Sequence, residues 1–278
     1  ALPIYYYSRT VAHNAILIHM PGEKMPRYWG NRAPGEEDLP VPNDGGQRET
    51  LGSSVAAFEN DEHFAYVAGD ATAVYHPEKC RLALRQFVFL PPNHFVVFDR
   101  VVSTNPEYRK TWLLHTAAQP QLRGNEFSAI HGGGKLFCRT LLPRKVERTA
   151  VGGPGRQFWS GGRNWPLPKG TRTDENNPLL GQWRVEISPA APRASEEFLH
   201  LIEAGDAAQS RMTASETVRK NGRTGVRFRN ASGQWEVLFG VDGPPSGHIT
   251  LKRGAVTVLD RELTVQVQRQ AGLYGSAE

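Results

Sequence analysis

Apolar and polar residues alternate, or apolar residues run on briefly, in segment after segment of this chain, and each segment stops at a cluster of Gly, Pro, Asn or Asp. A period of two between turn signals is the mark of a β-strand, because successive side chains leave opposite faces of the backbone. Strands are expected on this pattern at 13–20, 53–59, 64–70, 82–90, 94–102, 110–117, 127–131, 135–142, 182–187, 196–202, 213–218, 225–229, 234–241, 248–251 and 262–268. Nowhere does a convincing 3.6-residue helical period appear. Two of the most apolar runs flank Pro91-Pro92-Asn93, which reads as a buried antiparallel hairpin.

The pattern predicts an all-β protein: a large antiparallel β-sandwich over 1–150, a Gly/Pro/Trp/Arg-rich loop over 151–180, and a smaller C-terminal β-strand unit over 181–278. A second stretch without strand character, 21–48, holds five prolines and ends in Asn43-Asp44-Gly45-Gly46-Gln47. Long structureless segments in a compact protein are functional or disordered. No fixed-period repeat suggests a propeller or solenoid.

Composition supports this picture and narrows the partners. The 28 glycines and 20 prolines among 278 residues supply the turns that many short strands require. No apolar run reaches the roughly 20 residues of a membrane-spanning helix, and the N-terminus lacks the layout of a secretion signal. A net charge of +5 favours an anionic partner without choosing among nucleic acid, acidic glycan and membrane surface. Cys80 and Cys138 read as buried thiols or as one disulfide.

The densest cluster of chemistry is Tyr5-Tyr6-Tyr7-Ser8-Arg9-Thr10-Val11-Ala12-His13-Asn14, directly ahead of the apolar run Ala15-Ile16-Leu17-Ile18. It places polar groups at the edge of a rigid sheet. His13 reads as a metal ligand or acid/base, or as an ordinary core histidine. Arg9 can fork onto a carboxylate, or form a surface salt bridge. One of Tyr5, Tyr6 and Tyr7 can act as a catalytic acid or a sugar-stacking face, and the cluster can equally be packing. His115 and Asp70 can be read as metal ligands with His13, but are most simply a core histidine and a turn-forming aspartate, and Asp99-Arg100 reads as a buried or edge ion pair rather than a catalytic dyad.

A second cluster, Arg156-Gln157-Phe158-Trp159-Ser160-Gly161-Gly162-Arg163-Asn164-Trp165, interleaves aromatics with arginines. Trp159 and Trp165 can stack on sugar rings while Arg156 and Arg163 bind carboxylate or sulfate, or the stretch can be a Trp-anchored cover over the sandwich. Single-stranded nucleic acid would fit the same physics, but no nucleic-acid-binding motif accompanies it.

Ser8-Arg9-Thr10-Val11-Ala12-His13-Asn14-Ala15-Ile16-Leu17-Ile18, then Gly69-Asp70-Ala71-Thr72 with Tyr75, Arg85-Gln86-Phe87-Val88-Phe89-Leu90, Phe98-Asp99-Arg100-Val101 and Trp112-Leu113-Leu114-His115-Thr116 follow one another in an order that resembles the C-terminal region of heparinase II/III-like polysaccharide lyases. The likeness covers about half of the chain, residues 5–143, and its most specific piece is His13-Asn14. It implies a two-part enzyme, an upstream α/α-toroid domain packed on β-sandwich units, that cleaves uronic-acid polysaccharide by β-elimination. That chemistry requires neutralisation of the C6 carboxylate, a base for the C5 proton and an acid for the departing oxygen. The family supplies these groups largely from the toroid.

The resemblance further implies that His13 is a ligand of a structural zinc, whose other ligands, a His and an Asp, lie upstream. It implies that Asn14 supports His13, that Tyr5, Tyr6, Tyr7 and Arg9 lie on the cleft-facing loop, with Arg9 and Asn14 as candidates to bind the anionic glycan, and that the protein is bacterial and periplasmic or secreted. A non-catalytic carbohydrate-binding β-sandwich is the alternative. Neither a nucleic-acid partner nor a membrane span is expected.

Overall fold

The alternation folds into three stacked antiparallel sheets. A computed structural model describes residues 6, 7, 9–26, 41–165 and 181–267. The central sheet has eight strands in the spatial order β2 (Ser54–Asn60), β3 (Ala65–Asp70), β4 (Cys80–Leu90), β5 (His94–Ser103), β14 (Ser195–Asp206), β9 (Gly134–Leu142), β8 (Glu126–His131) and β7 (Gln121–Arg123). One outer sheet has four strands, β1 (Ile16–His19), β6 (Arg109–Thr116), β13 (Trp183–Pro189) and β10 (Val146–Gly152). The other has five, β15 (Ser215–Lys220), β16 (Arg223–Asn230), β17 (Gly233–Gly240), β18 (Gly247–Arg253) and β19 (Val256–Glu262). A two-stranded hairpin, β11 (Trp159–Ser160) and β12 (Arg163–Asn164), stands apart from the three layers. No α-helix occurs among the described residues; Thr10–Ala12 and Thr72–Val74 are single 3-10 turns.

Burial on both faces explains why the central strands are almost continuously apolar. On β5, Val96 and Phe98 enter the core shared with the five-stranded sheet, while Val97 and Val101 enter the core shared with the four-stranded sheet. On β14, Leu199 and Leu201 face the first core and Phe198 and Ile202 the second. Stacked rings of Phe98 and Phe239, 5.1 Å apart, and the buried Trp235 close the first core. Trp112, Val185 and Ile187 close the second. Each such side chain stabilises the fold by about 1.5–3 kcal/mol through burial. Cys80 and Cys138 are both buried free thiols.

Residues from 181 onward reach every layer: β13 joins the four-stranded sheet, β14 lies between β5 and β9, and β15 to β19 form the five-stranded sheet. Five strands were not legible in the alternation: the two-residue β11 and β12 of the hairpin, and three more. β7 is short and exposed, β10 is an edge strand carrying Glu147, Arg148 and Thr149, and β19 ends in Asp260-Arg261-Glu262. Among the described residues the last strand therefore lies at Val256–Glu262 rather than at 262–268, where an isolated bridge, Val267 to Phe58, continues the pairing.

The Asp99-Arg100 ion pair is not formed. Neighbours on a strand point to opposite faces, so Asp99 turns toward the four-stranded sheet and meets Arg85 of β4, its cross-strand partner. Arg100 turns the other way and donates to the Gly243 carbonyl at 2.6 Å.

Candidate functional site

On β13, Val185 and Ile187 point into the core, leaving Arg184 and Glu186 on the outer face of the four-stranded sheet. Arg184 sits opposite His115 of β6 and is almost fully buried, its guanidinium 2.7 Å from Glu186. Two segments cover this face. One is the strap from Tyr6 to Asn14, and the other is the hairpin of β11 and β12.

The strap is pinned from several sides. Arg184 donates to the Tyr6 hydroxyl at 3.2 Å. Arg9 is buried and bound by Asp44 at 2.6 Å and by the Pro42 carbonyl. Thr10 accepts from the Gln47 amide at 2.7 Å. The segment after the proline-rich stretch, Pro42 to Gln47, thus forms the bed of the strap.

The hairpin is pinned by its aromatic residues. Phe158 and Trp165 are buried with Tyr6, Val11, Leu17 and Leu113. The Phe158 ring lies 5.5 Å from that of Tyr6 and 5.3 Å from that of Tyr7. Two glycines make the close approach possible. Gly161, at φ +59°, lies where a Cβ would meet the Pro42 side chain at 2.3 Å, and Gly153, at φ +78°, where one would meet the Trp183 ring at 2.6 Å.

The sequence candidates fall into three groups. Tyr6, Tyr7, Phe158 and Trp165 converge at the interface of strap and hairpin. Arg156 and Arg163 lie over the Trp159 and Trp165 rings, at 4.8 and 4.7 Å. Trp165 is buried, with its indole N–H on the Ser160 carbonyl, whereas Trp159 is partly exposed and Arg156 exposed. Tyr5 lies outside the described residues.

His13 and Asn14 end the strap in solvent. The His13 Nε2 is 2.8 Å from the Tyr7 carbonyl oxygen. Asn14 bridges two sheets: its side-chain oxygen accepts the His115 backbone N–H at 2.8 Å, and its carbonyl accepts from Arg85 at 2.5 Å. Sequence reasoning passed over Arg85, Arg184 and Glu186. The charges in Trp183-Arg184-Val185-Glu186-Ile187, two apart on an alternating strand, were the signal that this outer face is polar.

Protonation states follow from burial. Desolvation, aided by the Arg184 charge, lowers the His115 imidazole to about 4, so the ring is neutral at pH 7. Its nitrogens lie 3.1 Å from Asn14 Oδ1 and from the Val11 carbonyl oxygen. Burial raises the pKa of Tyr6 and of Tyr7. The Tyr6 hydroxyl has Arg184 as partner; that of Tyr7 is buried with no partner among the described residues.

Zinc does not fit these residues by themselves. No group of three His, Cys, Asp or Glu gathers among the described residues, whereas a closed zinc site takes four ligands. Asp70 accepts the Thr72 amide in a turn, and His115 packs its two ring nitrogens against Asn14 Oδ1 and the Val11 carbonyl, donating from one of them, which leaves His13 as a lone candidate ligand.

This fold is shared with polysaccharide lyases of known structure. Heparan sulfate lyase HepC from Pedobacter heparinus and its mutant both superpose with TM-score 0.52 at 12 % identity, over 85 % of this chain and 31 % of theirs. A heparinase III with methylated lysines superposes with TM-score 0.51 at 9 % identity, over 80 % of this chain and 28 % of its own. The chain thus spans under a third of these enzymes, and the fold of its sequence-level likeness, the β-sandwich region of a heparinase-type lyase, is the fold observed. No family profile and no curated protein matches the sequence.

Proposed function

We propose that this chain is the β-sandwich part of a longer polysaccharide lyase that cleaves uronic-acid glycans by β-elimination, and that strap and hairpin together form its wall of the substrate cleft. One observation carries the reading. Tyr6 and Tyr7 pack directly on Phe158, which joins the two sequence clusters richest in glycan-binding chemistry, about 150 residues apart, into one surface.

On that surface Trp159, with Arg156 above it, offers a ring face to a sugar and a cation to its carboxylate or sulfate. Arg9 and Arg184 act by position: each is buried on a carboxylate, so they hold the strap rather than reach for substrate. His13 and Asn14 lie at the exposed end, where an upstream toroid domain of the same protein would close the cleft. Zinc at His13 belongs to this reading only with ligands from outside the described residues. A periplasmic or secreted location is part of the same proposal, and no described helix is long and apolar enough to cross a membrane.

Among the tyrosines, Tyr7 suits the role of proton donor. Its hydroxyl has no partner among the described residues and keeps its proton at neutral pH; because it is buried, the strap must shift on substrate binding to bring it to the departing glycosidic oxygen.

The test is product formation. The whole protein, given heparan sulfate or a polyuronate, should release unsaturated uronates that absorb in the ultraviolet, and the isolated chain should release almost none. Binding of these polymers by the whole protein without any such product would favour the non-catalytic binding module, for which the Trp159–Arg156 pair would suffice.

A further inference from the structure

At the opposite end of β13 from Arg184 the three layers leave a groove. It lies five residues along the strand, about 17 Å at the usual strand rise, from the surface just described. The turn after β9, the loop between β13 and β14, and the end of β15 form its walls. Arg144, Lys145, Arg193 and Arg219 line it.

Only Arg219 is matched, by Glu197 at 3.1 Å. Arg144 and Lys145 are exposed with no carboxylate partner among the described residues, and Arg193, also exposed, forms no direct ion pair there and acts on Glu196 only through its field. Unpaired cations facing one concavity concentrate positive potential there. Glu196 supplies a second, independent feature. It lines the same groove, is 8 % exposed, and its Oε2 accepts no hydrogen bond among the described residues, the Arg193 and Lys110 charges acting on the carboxyl from a distance. A buried carboxylate oxygen left without a donor is costly, and a ligand hydroxyl would satisfy it.

We infer that this groove is a second glycan subsite, taking a sugar that carries carboxylate or sulfate on Arg144, Lys145 and Arg193 and giving a hydroxyl to Glu196. Free cations beside a waiting acceptor select an anionic polyol. A phosphodiester duplex fits less well, since its backbone brings no hydroxyl to Glu196 and is repelled by the Glu196 and Glu197 charges. The glycan class rests on the function proposed above; the groove and its charges do not.

The experiment is calorimetric titration of the 278-residue chain with size-defined heparan sulfate oligosaccharides and their desulfated counterparts. The probes separate sulfate from carboxylate recognition. The combined variant Arg144→Ala, Lys145→Ala, Arg193→Ala should weaken binding by about tenfold or more, since hydrogen bonds to charged groups are involved. Glu196→Gln, which leaves one acceptor oxygen but adds donors, should weaken it with the cations intact. Arg144, Lys145 and Arg193 are exposed and Glu196 is buried near the start of β14, and an unchanged melting transition will show that the variants are folded.

Binding that is absent in the parent chain, or unchanged in the triple variant, overturns the subsite. Duplex DNA that binds as tightly as the oligosaccharides and is unaffected by Glu196→Gln overturns its assignment to glycan. Each result leaves the lyase reading to be judged separately, by uronate release from the whole protein.

Discussion

Arg85 and Asp99 face each other across β4 and β5, with Nε 2.6 Å from Oδ1 and Nη2 3.1 Å from Oδ2, and the remaining Arg85 nitrogen reaches the Asn14 carbonyl. Asp99 also accepts the Trp112 indole N–H at 3.1 Å. One buried carboxylate therefore ties the central sheet to the four-stranded sheet, and through Arg85 to the end of the strap. The position of Asn14 is set by charge pairing inside the sandwich as well as by its bond to the His115 backbone N–H.

Removing either partner should be costly and removing both much less so. Asp99 is 3 % exposed, so Arg85→Ala leaves a charge in the interior, a loss of about 3 kcal/mol given the partial exposure of Arg85. Arg85→Met with Asp99→Leu replaces the pair by apolar bulk and should fall well short of the sum of the single losses. Denaturant unfolding of the four proteins measures the cycle, and simple additivity would show that the pair contributes nothing.

How far the chain could be read depends on which force shapes each part. Strands such as β4, β5 and β14 are long and apolar because both faces are buried, so their pattern is unmistakable. β10 and β19 carry charges on exposed faces and lack that signal. Tyr6, Tyr7 and His13 marked the strap in the sequence as a cluster of chemistry, but Arg9 was not legible as a buried pair with Asp44, because that contact spans 35 residues and a segment without strand pattern. The same holds for Asp99, whose neighbour in sequence is Arg100 and whose neighbour in space is Arg85. Pairing across sheets leaves no local trace.

Acid should loosen the outer face through His115. The unfolded imidazole takes a proton near 6.5, while the folded one stays neutral down to about 4. The unfolded state thus binds the extra proton in this window, so stability falls as pH drops from 6.5 toward 4, by on the order of 3 kcal/mol. His200, fully buried and likewise held neutral by desolvation, adds to the same trend. Unfolding free energy measured across that range should decline less steeply in His115→Gln; identical slopes would remove His115 from the account.

The two described tyrosines should separate when their hydroxyls are removed. Tyr6→Phe deletes the acceptor of Arg184 and should cost about 1–2 kcal/mol of stability, since a buried charged donor loses a partner. Tyr7→Phe deletes a hydroxyl that has no partner, so stability should hold or rise. In the whole protein only Tyr7→Phe should then lower kcat, by roughly 100-fold if the phenol is the acid. Equal turnover in the parent and Tyr7→Phe would assign Tyr7 to packing.

His13 tests whether the exposed end of the strap does more than end it. Its ring touches the Tyr7 carbonyl alone among described groups, so in the isolated chain His13→Ala should cost no more than about 1 kcal/mol. In the whole protein, ligands from outside the described residues would make it one of several donors to zinc, and loss of one ligand would remove much of the metal's hold. Zinc content should then fall below one per chain in His13→Ala. Turnover should fall with it, because the strap carrying Tyr7 would lose its anchor, and displacement of a catalytic group by about 1 Å can cost on the order of 100-fold in rate. Zinc stoichiometry and uronate release measured on the same preparation decide between roles. Retained zinc with lost turnover would place His13 in the chemistry itself, and no change in either would leave it with the Tyr7 carbonyl as its whole function.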